Sequence, residues 1–148
     1  MFVLDTNVLT ELMLTAPDPR VSEWVARQPR QTLYTTTITE AESLVGIALL
    51  PEGWRRRELH AAAVRLFEDL LAGQVLPFDR RAAQACAAIG ATRRAAGREY
   101  DTRDCQVAAI ASANGAVVAT RNVHDFLGCG VEITNPWDGE RPGYPSTE

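Results

Sequence analysis

The run Phe2-Val3-Leu4-Asp5-Thr6-Asn7-Val8 decides how the rest of the chain is read. Three apolar residues stop abruptly on a carboxylate, the pattern of a short buried strand that delivers an acid to the edge of a sheet. Immediately afterwards Val8, Leu9, Leu12 and Met13 fall at helical spacing, so residues 7–14 are expected to form a helix. A strand, an acid and a helix in succession open a βα unit, and the question is whether the remaining sequence repeats that alternation.

It does. Asp18-Pro19 marks a helix start, with Asp18 as N-cap and Pro19 as the first helical residue, and Val21, Trp24 and Val25 on the inner face. Residues 32–37, rich in Thr with one Tyr, read as a second strand. A helix over 39–50 follows and is stopped by Pro51 and Gly53. Helical periodicity resumes over 54–72, closed by Gly73. Residues 75–78 form a short strand, and Asp79 caps an Ala-rich helix that runs to about residue 96. Another helix starts near Thr102 and ends at Gly115, a continuous apolar strand spans 116–120, and a last short strand covers 131–133. No hairpin turn joins any two strands. The pattern predicts an α/β fold of three layers, α/β/α, around a mostly parallel central sheet. One domain is expected over 1–137, with 138–148 a loosely ordered tail.

The composition is that of an ordinary globular protein, 46% hydrophobic and 23% charged. No apolar run is long enough to cross a membrane and no secretory leader is evident, so no membrane association is expected. Cys86, Cys105 and Cys129 are odd in number and form no C-x-x-C pair, which argues against a disulfide framework or a structural zinc site and for a cytoplasmic location. The net charge of −4 disfavours a module that holds nucleic acid through phosphate contacts alone. It is compatible with an enzyme that recruits divalent cations to meet a phosphate.

In a parallel sheet, ligands bind beyond the carboxyl ends of the strands. Asp5 ends the first strand and Asn122 follows the strand at 116–120. Glu42 and Asp104 are expected in the first turns of helices that begin on the same side, and Asp101 and Asp125 lie near enough to join them. Mg²⁺ and Mn²⁺ favour such oxygen ligands. A cluster of carboxylates without a cation repels itself and raises the pKa of one or more members. A cation held there polarises a phosphoryl oxygen and activates an attacking water, so no Ser, Cys or His nucleophile is required. His60 and His124 are not at metal-ligand spacing. Each acid also has a structural alternative. Asp5 is a possible turn residue, Glu42 the N3 member of a Thr39-Glu40-Ala41-Glu42 capping box, and Asp104 a complement to a helix dipole. Their joint placement on one rim favours a site. Among the arginines, the run Arg55-Arg56-Arg57 reads as a solvated face. Arg93, Arg94, Arg98 and Arg103 lie near Asp104 as candidate contacts to a phosphate backbone, and Arg121 as a candidate phosphate clamp.

These segments resemble a known family. Phe2-Val3-Leu4-Asp5-Thr6-Asn7-Val8 is similar to the first strand and first acid of the PIN-domain ribonucleases, in particular the VapC toxins of type II toxin–antitoxin systems and their FitB-like, plasmid-stability branch. Ala41-Glu42-Ser43-Leu44-Val45-Gly46 resembles the helix with the second acid, and Asp104-Cys105-Gln106-Val107-Ala108-Ala109 the helix with the third. Thr120-Arg121-Asn122-Val123-His124-Asp125-Phe126 and Asn135-Pro136-Trp137 resemble two further segments of that branch. The resemblance implies a PIN-like fold and Mg²⁺ or Mn²⁺ bound by the acidic set, with Asp5, Glu42, Asp104 and Asp125 as ligands. It implies RNA as substrate, hydrolysed through a metal-activated water with Asp5, Glu42, Asp104 and Asn122 in catalytic roles. It further implies a homodimer and a cognate VapB-like antitoxin through which alone operator DNA is reached. Many members carry an acid where this chain has Asn122, a neutral oxygen donor. Asp125 or Asp101 is expected to supply the missing charge. The alternative to a ribonuclease is a catalytically silent PIN-like binding module within an antitoxin–DNA repressor complex. A phosphotransferase of the haloacid dehalogenase type would want a second Asp at position 7, where this chain has Asn7.

Overall fold

The computed structural model describes residues 1–99 and 101–139. Strand β1 (Phe2–Leu4) leads into α1 (Thr6–Met13) and α2 (Pro19–Arg27). A 3₁₀ turn (Arg30–Thr32) precedes β2 (Leu33–Thr36), which runs without a break into α3 (Thr37–Ala48). Helix α4 (Trp54–Arg65) continues as a π-helical turn (Leu66–Leu70) and is followed by β3 (Val75–Leu76). Then come α5 (Arg80–Ala95), α6 (Thr102–Ala113), β4 (Val117–Ala119), the short α7 (Val123–Phe126), β5 (Ile133–Thr134) and a 3₁₀ turn (Pro136–Asp138). The loose tail expected from 138 lies, from residue 140 onward, outside the described residues, whereas Asp138 closes the last 3₁₀ turn.

The five strands are ordered β3-β2-β1-β4-β5, and every neighbouring pair is parallel. The chain starts in the centre of the sheet, builds outward through β2 and β3, then crosses back to lay β4 on the other flank of β1. Right-handed crossovers running in opposite directions put their helices on opposite faces. The side chains show it through the two-residue period of a strand. Val3 pairs with Val118 in register and both face a core completed by α5, α6 and α7. Leu4 pairs with Ala119, and both face the core of α1, α2 and α4. Val3, Leu4 and Val118 are fully buried, which stabilises the fold by about 1.5–3 kcal/mol for each large apolar side chain removed from water. The three-layer parallel α/β architecture expected from the alternation is the one observed.

Several starts and stops follow local chemistry. Asp18 accepts from Arg20 N with Pro19 in the first turn, and Asp79 accepts from Ala82 N at 2.9 Å. All three cysteines are buried, and the thiols of Cys86 and Cys105 hydrogen-bond at 3.1 Å. One arginine departs from its expected role. Arg93 is only 8% exposed and does not reach outward to a phosphate backbone. Its guanidinium donates twice to the carbonyl of Glu99 and once to that of Leu127, at 2.6–3.0 Å. It therefore staples the end of α5 to the segments leading into α6 and out of α7. A buried cation of this kind persists because carbonyl oxygens replace its water. Among the described residues no helix is long and apolar enough to cross a membrane.

Candidate functional site

The strand order reverses between β1 and β4, and the site sits at their carboxyl ends, where an open α/β sheet leaves a crevice. Asp5 leaves β1 with its N–H bonded to Ala119 O at 3.0 Å. It occupies the N-cap position of α1, yet its carboxylate makes no capping bond. Oδ2 instead accepts from Thr120 Oγ1 at 2.8 Å and, at 3.5 Å, from Asn7 Nδ2. The Thr120 hydroxyl, fully buried, also accepts from Asn7 Nδ2 and from the backbone N–H of Asn122, at 3.2 and 3.0 Å. Its one donor and both acceptor positions are thus used. Asn7 Oδ1 in turn accepts from Arg121 N. The ends of β1 and β4 are laced together by side chains, with Asp5 at the centre. Burial pushes the Asp5 carboxyl above its ordinary range, against the lowering effect of the Thr120 bond, and the charges of Glu42 and Asp125 add to the rise.

Glu42 arrives from α3, but not as expected. Thr36 is the N-cap of α3 and accepts from Thr39 N at 3.0 Å, so Glu42 lies in the second turn and belongs to no capping box. Its Oε2 accepts from Thr6 Oγ1 at 2.8 Å and its Oε1 pairs with Arg103 at 3.3 Å. Asp104 stands in the first turn of α6, as the sequence suggests. The cap of that helix is Asp101, which accepts from Asp104 N at 3.0 Å, leaving the Asp104 carboxylate free of capping duty. That carboxyl is pushed up to about 7 by partial burial first, then by Asp101, Asp5, Asp125 and Glu42. Asn122 is exposed at the start of α7, and its side chain does not cap that helix. Asp125 lies within α7, near enough for its charge to be felt at Asp5 and Asp104.

Asp5, Glu42, Asp104, Asn122, Arg121 and Trp137 border one cleft of about 430 Å³. Asp101 and Asp125 do not line it, although their charges are felt at Asp104. Two larger hollows of about 680 and 710 Å³ lie elsewhere and contain no such convergence of acids, so chemistry rather than size marks the site. Arg121, which lines the cleft, rests its guanidinium over the Trp137 ring, 5.3 Å from the centroid, in a cation–π contact. Sequence reasoning did not find the Thr6–Glu42 bond or the Trp137 support, because both depend on contacts between distant segments.

The donor set fits a hard divalent cation. It is all oxygen, and the repulsion that lifts Asp104 is relieved by positive charge. Among the described residues no three His, Cys, Asp or Glu side chains stand close enough to hold an ion by themselves. Magnesium asks for less, since it is commonly held by one or two carboxylates and keeps several waters.

With this geometry, comparison with known proteins is decisive. The PIN-domain family model matches residues 2–126. The chain belongs to the PIN-domain family. A plasmid stability protein, StbB, of Pseudomonas syringae pv. tomato is 41% identical over 93% of this chain and 99% of its own. The VapC ribonuclease Y4jK of Sinorhizobium fredii is 40% identical over the same shares. Among solved structures, that of FitAB bound to an IR36 DNA fragment superposes on this PIN domain with a TM-score of 0.87 at 34% identity, covering 97% of this chain and all of that one. Asp5, Glu42, Asp104 and Asn122 all fall within the stretch that the PIN-domain model matches.

Proposed function

We propose that this PIN domain is the toxin of a type II toxin–antitoxin pair, a Mg²⁺- or Mn²⁺-dependent endoribonuclease of the cytoplasm. The observation that carries the reading is the convergence of Asp5, Glu42 and Asp104 on one cleft with two carboxyls raised by burial and mutual repulsion. The similarity to a VapC ribonuclease and to the FitAB complex supports it. The partners that follow are RNA as substrate, a VapB-like antitoxin, a second copy of the chain, and operator DNA reached through the antitoxin.

Asp5, Glu42 and Asp104 would supply the oxygen donors, one or two of them directly and the rest through the water that a magnesium ion keeps, and Asp125 would add negative charge. When bound, the cation supplies neutralisation of the phosphate and activation of water for hydrolysis. The chain's own residues do the positioning. Thr120 and Asn7 fix the Asp5 carboxylate, and Thr6 and Arg103 fix that of Glu42. Asn122, a neutral amide at the cleft, orients a water without adding to the crowded negative charge. Arg121, held over Trp137, offers a planar fork to a phosphate oxygen. The test is cleavage of total RNA by antitoxin-free protein in Mg²⁺, Mn²⁺ or EDTA, beside Asp5→Asn. Discrete, metal-dependent fragments absent in the variant are expected. Intact RNA from folded protein in both metals shifts the reading to a silent binding module.

A further inference from the structure

Two ties hold α5 and α6 side by side. Arg81, near the start of α5, donates to the carbonyl of Ala113 at the end of α6. Arg93, near the end of α5, donates to the carbonyl of Glu99 just before α6, so the two helices run antiparallel. Between these ties Cys86 of α5 meets Cys105 of α6. Their sulfurs are 3.1 Å apart, and the Cys105 thiol also lies 3.5 Å from the carbonyl oxygen of Cys86. Both residues are buried, at 9% and 2% exposure, in a core that they share with Ala108 and Ala109. A buried cysteine commonly serves as a small apolar filler. Packing alone does not ask for two sulfurs at this separation, which is shorter than the about 3.5–4.0 Å of carbon atoms in contact although sulfur is the larger atom. The third cysteine is placed differently, since the Cys129 sulfur accepts from the Arg93 guanidinium at 3.4 Å.

We propose that Cys86 and Cys105 form a reversible redox pair, two thiols under reducing conditions and a disulfide after exposure to a peroxide. The inference goes beyond the ribonuclease reading and does not depend on it. Cys86, the less covered of the two, reacts first. Its sulfur bonds to one oxygen of hydrogen peroxide, the O–O bond breaks, and the other oxygen leaves as water, giving a sulfenic acid. The Cys105 sulfur then attacks the Cys86 sulfur, the S–O bond breaks, and a second water leaves with the Cys105 proton. Two thiols thus lose two electrons and two protons, and one peroxide becomes two waters. A dithiol reductant reverses the step by exchange and is itself oxidised. To bond, the sulfurs close by about 1 Å, a small movement for two side chains on helices already in contact. Cys105 follows Asp104 in the first turn of α6, so the bond ties the acid-bearing end of that helix to α5 and opposes its opening.

The test treats the full, folded chain with hydrogen peroxide, unfolds it in N-ethylmaleimide and digests it with trypsin for mass spectrometry. The peptides 82–93 and 104–121 are expected to appear joined, two hydrogens lighter than their sum, with Cys129 capped by maleimide. Dithiothreitol added before the maleimide is expected to return three capped cysteines. The oxidised chain is expected to melt about 5 °C or more above the reduced one, because the bond closes a loop in the unfolded state. Cys86→Ala should lose that shift and Cys129→Ala should keep it. Three capped cysteines after peroxide overturn the inference, and so does oxidation that stops at sulfinic acid on single residues or that pairs chiefly with Cys129. An oxidised pair that melts no higher than the thiols overturns the tie between α5 and α6. A shift that persists in Cys86→Ala overturns its assignment to this bond.

Discussion

The starts of α1 and α5 use the same residue in opposite ways. Each helix is preceded by an aspartate in extended conformation, Asp5 and Asp79. Asp79 turns its carboxylate onto its own helix and accepts from Ala82 N. Asp5 makes no such capping bond and turns its carboxylate onto Thr120, just past the distant strand β4, while its backbone carbonyl accepts from Val8 and Leu9. One acid serves the helix that follows it. The other is held at a raised pKa, so its charge is a cost to the fold. The difference teaches that position in a local motif does not decide whether a carboxylate is structural. What decides it is whether the neighbouring strand offers a donor that competes with the helix.

The comparison predicts a double dissociation. Asp5→Asn is expected to reduce RNA cleavage about 10³-fold or more while leaving the melting temperature unchanged or higher. Asp79→Ala is expected to cost about 1 kcal/mol of stability, the usual value of a lost N-cap, with cleavage per folded molecule unchanged. Thermal melts and cleavage assays on the two proteins check both, and a large melting loss for Asp5→Asn would erase the contrast.

A smaller effect sharpens it at Asp104. Between about pH 4 and pH 7 the folded chain keeps a proton there that the unfolded chain has released, because the folded carboxyl sits at about 7. Folded protein binds more protons than unfolded in that window, so stability in EDTA falls as pH rises through it and levels off above. Asp104→Asn removes the cost. It is expected to stabilise the metal-free protein by about 1–2 kcal/mol at pH 8, once solvent screening of this half-exposed group is counted, and by nothing near pH 4. Melting curves at the two pH values read this directly. The smallest effect belongs to Asp101→Asn. Asparagine is as good a cap as aspartate, so stability should shift by only a few tenths of a kcal/mol. The loss of one negative neighbour should lower the Asp104 pKa, which carboxyl NMR titration in EDTA measures. An Asp104 that titrates unchanged would show that its burial alone sets the value.

Much of this arrangement was legible in the sequence, and the rest was lost for identifiable reasons. The apolar run ending at Asp5, the Asp18-Pro19 start and the Asp79 cap are local signals, and the structure follows them. Helix α3 starts two residues earlier than the sequence suggests. Thr35, Thr36, Thr37 and Thr39 are near-equivalent as strand or cap residues, and the choice is made by the pairing of Thr36 with Leu76 across β2 and β3. With Thr36 rather than Thr39 as the cap, Glu42 is no capping-box member. Arg93 departs from the expectation because an arginine run looks solvated or phosphate-binding, while its carbonyl-lined socket is assembled from residues on either side of α6 and α7. Helix α7 has four residues, too few to show a period. The placement of Asp5, Glu42 and Asp104 on one rim followed from topology alone, because a parallel sheet gathers its strand ends on one side.

The Asp5–Thr120 bond spans 115 residues. During synthesis the first acid therefore leaves the ribosome early but gains its brace only when the fourth strand has emerged and docked against the first. A chain that stops just short of Thr120 carries Asp5, Glu42 and Asp104 but lacks the hydroxyl that fixes the Asp5 carboxylate. On the ribonuclease reading proposed above, hydrolytic competence is thus expected only once the chain has grown past Thr120.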